Sequence, residues 1–202
     1  MDMPFNAQVE CLDGVCGQSS CLIVNPSTCF ISHVVVQDNA DPDAYYLVPF
    51  EEIKLAFPHL IQLRCTYYEL QQMPRFVHIT HEHRMKPYTF YPPGSSIGPT
   101  MIWENDLVPI AHELVPEGEV AVHAKAQVEA HDGPLGQVDE FLLDPSTEQI
   151  DYLVLRERHL WHDRELIVPA SQIDLFASDT IYLKSDKQVI EQLQADARSK
   201  MK

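Results

Sequence analysis

The chain states one pattern twice. Shifted by 119 residues, Ala7, Gln8, Val9 and Glu10 fall on Ala126, Gln127, Val128 and Glu129, and Asp13-Gly14 falls on Asp132-Gly133. Gly17-Gln18 then meets Gly136-Gln137, and Pro26-Ser27-Thr28 meets Pro145-Ser146-Thr147. One residue of slippage later, Val48-Pro49 matches Val168-Pro169, and Ile61-Gln62-Leu63 matches Ile181-Tyr182-Leu183. Solenoid periods run about 20–50 residues, so a period this long means two domain-sized units rather than a stack of small ones.

Each unit reads as mainly β. In the second copy, short apolar runs at 126–130, 136–143, 149–155, 165–168 and 180–184 predict five strands. Asp132-Gly133 is a hairpin signal, because glycine takes the positive φ such turns need. The same holds for Asp13-Gly14. Each aspartate is expected to cap the backbone of its own turn. Asp144-Pro145 opens a second turn, with Pro26 at the equivalent place in the first copy. Pro49 and Pro169 each stop a strand. Residues 170–176 predict a helical turn, and 158–165 a polar loop. A small unit with few strands removes its exposed edges by closing, so each copy is expected to form its own barrel. The chain then ends in a predicted helix, capped by Ser185 with Gln188 three residues on, whose stripe of Val189, Ile190, Leu193 and Ala197 plugs its own barrel.

Between the copies, Thr66–Glu119 holds seven of the 15 prolines together with Tyr88, Phe90, Tyr91 and Trp103. Proline at that density argues against long helix and central strand. The aromatic content argues against a freely disordered linker. The expected division is a first barrel at 1–65, an irregular segment packed on the barrels at 66–119, and a second barrel with its helix at 120–202.

The pattern resembles the PRC-barrel family. The resemblance is carried by Val128, Ala130, Asp132, Gly133, Gly136 and Val138, then Leu142-Leu143-Asp144-Pro145, Ile150–Leu155 and Ile167-Val168-Pro169. The first copy matches at Asp13, Gly14, Gly17, Pro26 and Pro49, with Asn25 in place of Asp144. The resemblance implies two tandem barrels that serve as docking modules without catalysis. In the family such barrels occur as the cytoplasmic domain of the photosynthetic reaction-centre H subunit and as the C-terminal half of the ribosome-maturation factor RimM. The implied partner is another protein or a larger protein assembly, and a homodimer is compatible with the same reading.

Charge narrows the partners. Lys plus Arg number 14 against 30 Asp plus Glu, a net −16. Phosphate backbones and anionic membranes repel such a surface, so nucleic acid is not expected, and a membrane would be approached only through a partner. No apolar run nears the ~18 residues of a membrane span, and Met1–Glu10 lacks a signal-like apolar stretch, so a cytoplasmic protein is expected. Cys11, Cys16, Cys21, Cys29 and Cys65 are odd in number and lie in or beside the first copy. Reduced thiols are expected, with Cys11, Cys16 and Cys21 buried as small hydrophobes.

Few residues suggest chemistry. Gly94-Ser95-Ser96-Ile97-Gly98 has the spacing of a nucleophile elbow but sits between Pro92-Pro93 and Pro99, where the required strand and helix do not fit. His78, His81 and His83 are the best metal candidates, and they ground an alternative reading as a metal- or ligand-responsive sensor. His159 and His162, flanking Trp161, read as loop packing. No enzyme activity and no cofactor are expected.

Overall fold

The computed structural model describes residues 1–90, 100–158, 163–190 and 192–193. Gly94–Gly98, His159, Trp161, His162 and most of the predicted C-terminal helix lie outside the described residues; of that helix, residues 187–190 and 192–193 are helical. The chain divides into two compact units, one of Met1–Phe76 with Val115–Lys202, the other of Val77–Leu114.

The first unit holds both copies. It contains β1 (Asp2–Pro4), β2 (Gln8–Cys11), β3 (Gly14–Asn25), β4 (Phe30–Asp38), β5 (Tyr45–Pro49), β6 (Ile53–Phe57), β7 (Leu60–Leu63) and the short helix α1 (Tyr67–Leu70). The second unit is a two-stranded ribbon of β8 (Val77–Phe90) and β9 (Thr100–Glu113). The first unit then resumes with β10 (Val120–His123), β11 (Gln127–Ala130), β12 (Gly133–Leu143), β13 (Ile150–Arg158), β14 (Asp163–Pro169), β15 (Ile173–Phe176) and β16 (Thr180–Leu183).

The duplication is visible strand by strand. The two seven-stranded sheets run β5-β4-β3-β2-β7-β6 and β14-β13-β12-β11-β16-β15. Parallel pairs occupy the same place, β2 with β7 and β11 with β16. Residues 170–176, expected as a helical turn, split into a one-turn 3-10 helix at Ala170–Gln172 and the strand β15. Pro169 and Pro49 cap the equivalent 3-10 turns, both at φ −59°. Positive φ falls on repeat-equivalent residues as well: Asn6 and Lys125, Gly14 and Gly133, Cys29 and Glu148. Gly17 and Gly136 lie where the next strand crosses closest. A Cβ on Gly17 would come within 2.2 Å of the Gln37 carbonyl oxygen, and one on Gly136 within 2.8 Å of that of Arg156.

Neither sheet closes by hydrogen bonding among the described residues. Each six-strand path ends at two strands that are not partners, β5 and β6 or β14 and β15. Self-contained copies are corrected by a second observation. The leading strand of each copy pairs with the other copy: β1 lies antiparallel to β12, and β10 to β3. The two pairings are equivalent in register. Asp2, Met3 and Pro4 face Leu142, Phe141 and Glu140, while Ala121, Val122 and His123 face Ile23, Leu22 and Cys21. Phe30 also bridges to Gln149, its own repeat equivalent. Equivalent residues meeting each other is the signature of an isologous, twofold-like arrangement, here within one chain.

The exchange is apolar. Met3 and Val122 are both fully buried, and the rings of Phe5 and Phe141 lie 5.9 Å apart. Buried residues of both copies, including Val9, Leu22, Leu63, Val128, Phe141 and Ile181, form one continuous cluster. A fully buried methionine contributes about 2–3 kcal/mol by removal from water, so each exchanged strand ties the copies together with a sizeable fraction of a domain's net stability.

The interval 66–119, expected to be irregular, is largely ordered. α1 closes the first copy, and β8 and β9 pair over fourteen registered positions without a bulge. Pro87 and Pro109 are accommodated because both strands of a two-stranded ribbon are edges, where a missing N–H can face outward.

Candidate functional site

The turn aspartates act on a helix start rather than on their own turns. Asp13 Oδ1 accepts from the backbone N–H of Tyr67 at 2.9 Å, and Asp132 Oδ1 from that of Lys187 at 3.0 Å. The first backbone N–H groups of a helix lack partners within it, and a carboxylate there supplies one. Thr66 and Glu69 add a capping box to α1. The predicted N-cap at Ser185 shifts to Asp186, whose carbonyl accepts from Val189 and Ile190. Asn25 and Asp144 do the same work in their loops: Asn25 Oδ1 accepts from Ser27 and Thr28, and Asp144 Oδ1 from Ser146 and Thr147. Those bonds to the backbone hold the Asp144 carboxyl below its ordinary range. These hydrogen bonds give Asp13, Asp132, Asn25 and Asp144 a part in holding the fold.

The histidine set is split by strand alternation. His78 lies on one face of β8 opposite His112, while His81 and His83 lie on the other face. His83 Nδ1 is 3.1 Å from Asn105 Oδ1, and His112 Nε2 is 2.9 Å from Thr80 Oγ1. Among the described residues no three His, Cys, Asp or Glu side chains are grouped to hold a metal ion.

Three thiols do converge, and they come from three segments. Cys11, Cys16 and Cys65 are all buried and free. Burial pushes each thiol up, Cys65 to about 12, while the neighbouring thiols act in both directions. Thiols held protonated are poor nucleophiles, so this cluster is core filling. Their counterparts in the second copy are Ala130, Leu135 and Ser185.

A cleft of about 290 Å³ lies at one exchange seam, walled by Pro4, Phe5 and Pro58. Asp139, Glu140, Arg156 and Glu165 supply its charge. Arg156 Nη2 donates to Asp139 Oδ2 at 2.7 Å. Burial, together with Asp2, Asp139 and Glu165, pushes the Glu140 carboxyl up to about 7. The cleft can take up a proton near neutrality, yet no hydroxyl or thiol lines it to act as a nucleophile. Sequence reasoning missed Glu140, because its burial arises from an exchanged strand.

The ribbon carries the most distinctive surface. Residues directly opposite in an antiparallel pair share a face. One face takes odd-numbered positions from Ile79 to Thr89 and from Met101 to Ala111, and none of these is Asp, Glu, Lys or Arg. Met85, Met101, Trp103 and Leu107 on this face are 55–68% exposed. The other face holds Glu82 and Arg84, with Lys86 paired to Asp106. Alternation was legible here once the strands were granted; the prolines concealed them.

No helix among the described residues is long and apolar enough to cross a membrane. No family model matches the chain, and no curated protein matches it in sequence.

Proposed function

We propose that this chain is a non-enzymatic docking protein of the PRC-barrel type, which attaches to a larger protein assembly through the uncharged face of its ribbon. The observation that carries the reading is the contiguous exposure of Met85, Met101, Trp103 and Leu107 on a face with no Asp, Glu, Lys or Arg from Ile79 to Thr89 and from Met101 to Ala111, the Val77–Glu113 pair standing at its end. Large apolar and aromatic side chains gathered on one exposed face mark interaction surfaces, whereas single exposed ones do not. In this reading the two duplicated sheets stand for the family's tandem barrels. The family it resembles supplies the class of partner: a membrane-embedded complex approached from its water-facing side, or a ribonucleoprotein approached through one of its proteins. A net charge of −16 favours a basic contact surface on that partner and association that weakens as salt rises.

The test is affinity capture from lysate of the source cells, with wild-type chain and with Trp103→Glu as baits. The reading expects a discrete assembly on the wild type, depleted on the variant and by added salt. Equal recovery on both baits at every salt concentration would refute it.

A further inference from the structure

β1 and β10 are repeat equivalents seated alike on the opposite copy, but the charge around them differs. Glu140 stands directly opposite Pro4, and Asp2, two residues before Pro4, shares that face of the sheet. Asp139 adjoins Glu140 and holds Arg156 at 2.7 Å, and Glu165 lies in register with Arg156. His59 lines the same cleft from the turn between β6 and β7, and the Met1 ammonium donates to the Leu143 carbonyl at 3.0 Å. The places of Asp2, Asp139, Glu140, Arg156 and Glu165 are taken in the other copy by Ala121, Ser20, Cys21, Gln37 and Tyr45, none of them a carboxylate or a guanidinium. Glu119, just before β10, is bonded by Ser32 and has His33 Nδ1 4.0 Å away.

We infer that β1 is a proton-controlled latch: acid fastens it to the second copy over a protonated Glu140, and ionisation of that carboxyl lifts it from β12 while β10 stays seated. The seat is small. β1 has three residues and Pro4 among them has no N–H, while the Phe5 N–H reaches the Asp139 carbonyl only at 3.4 Å. A hinge stands at its root. Asn6 has φ 56°, and Ser19 of the first copy fixes the chain there, accepting from the Asn6 N–H at 2.8 Å and the Ala7 N–H at 3.0 Å. The Ser19 hydroxyl also donates to the Pro4 carbonyl at 3.1 Å, one of the bonds that opening breaks.

In the closed seat Pro4 and Phe5 wall the cleft that holds Glu140. Ionising Glu140 there sets its charge beside Asp2, Asp139 and Glu165, with the one guanidinium already engaged. Lifting β1 returns Glu140 to water and takes Asp2 away. Burial first, and Asp2 next, push the Glu140 carboxyl up to about 7 from its ordinary 4.5. The closed state therefore holds the proton more tightly than the open one, so the opening constant rises from pH 4.5 to 7 and levels above. One linked proton permits a rise of roughly 300-fold, and for a carboxyl only half buried about 10-fold is expected. Opening bares the edge of β12 at residues 140–142 and the seat of Met3.

Amide hydrogen exchange of the full chain from pH 5 to 8 tests this, read as protection factors so that the intrinsic pH dependence cancels. The probe is the Leu143 N–H, which donates to the Met1 carbonyl at 2.9 Å; the reference is the Ala124 N–H, which donates to the Ser20 carbonyl at the other seam. Protection of Leu143 is expected to fall about 10-fold over that range while Ala124 holds its own. Glu140→Gln keeps Leu143 at its acid level throughout, and Asp2→Asn, with Glu140 in place, shrinks the fall. An equal fall at Leu143 and Ala124 would mean that the whole body loosens, and overturns the latch. So does a fall at Leu143 that persists in Glu140→Gln or stands undiminished in Asp2→Asn.

Discussion

Where β1 crosses to the second copy, Pro4 lies opposite Glu140; where β10 crosses to the first, His123 lies opposite Cys21. The two seams occupy the same place in the repeat and share their hydrogen bonds. Phe5 N–H donates to the Asp139 carbonyl at 3.4 Å, and Ala124 N–H to that of Ser20 at 3.3 Å. Around the first seam stand Asp2, Asp139, Glu165 and Arg156; the second has Ser20, Cys21 and Ser178 close by. The copies thus keep glycine at the close crossings and aspartate at the helix starts, and part company where a side chain fills space or carries charge; at the other positive-φ positions the backbone is kept while Asn6 gives way to Lys125 and Cys29 to Glu148. Glycine at a close crossing and aspartate at a helix start have few substitutes. A seam position opposite an exchanged strand has many.

The agreement is broken most severely at the close crossings. Gly17→Ala places a methyl 2.2 Å from a backbone oxygen and is expected to cost about 3–5 kcal/mol, against about 2 kcal/mol for Gly136→Ala, where the gap is 2.8 Å. Urea midpoints of the two variants read the difference directly, and equal midpoints would deny that the crossings differ. The exchange is sharpened by truncating its anchors. Met3→Ala should cost about 3 kcal/mol and Val122→Ala about 1.5 kcal/mol. Because each anchor lies in the opposite sheet, both variants should still melt in one calorimetric transition; two separated peaks would mean the copies unfold independently.

The charged seam is tested by pH. The folded pKa of Glu140, about 7, lies above its ordinary 4.5, so the folded state holds the proton more tightly. Its contribution to stability is complete below pH 4.5 and is lost as pH rises through 7. Glu140→Gln should therefore flatten the stability profile over that window and raise stability at pH 8 by about 1–2 kcal/mol, a figure reduced for a carboxyl only half buried. An unchanged slope between pH 5 and 8, measured by urea titration at each pH, would contradict the cause assigned here. The smallest effects belong to the turns. Asp13→Ala and Asp132→Ala should each cost about 0.5–1 kcal/mol, the former less because Thr66 and Glu69 also cap α1.

Much of this was legible in the amino-acid order. The 119-residue offset, the Asp-Gly hairpins and the strand-ending prolines announced two β units, and the offset foretold which residues would be equivalent. The exchange was not legible. Asp2–Pro4 and Val120–His123 are repeat equivalents, so each has the same alternation whichever copy it joins, and only tertiary packing chooses. The ribbon was hidden by Pro87 and Pro109, which read as breakers until both strands are seen to be edges. The histidine set divides on parity: 78 is even, 81 and 83 are odd, so the extended strand keeps His81 and His83 on one face, as their spacing implies, and sends His78 to the other. The turn aspartates were found in the right place with the wrong partner, because the helix starts they cap lie 54 and 55 residues away in sequence.

Reciprocal exchange is the claim on which the body of the molecule rests, and cross-strand backbone nuclear Overhauser effects test it without perturbing the chain. The exchanged arrangement predicts effects linking Met3 to Phe141 and Val122 to Leu22. Effects linking Met3 to Leu22 and Val122 to Phe141 instead would mean that each copy keeps its own leading strand, and would contradict it.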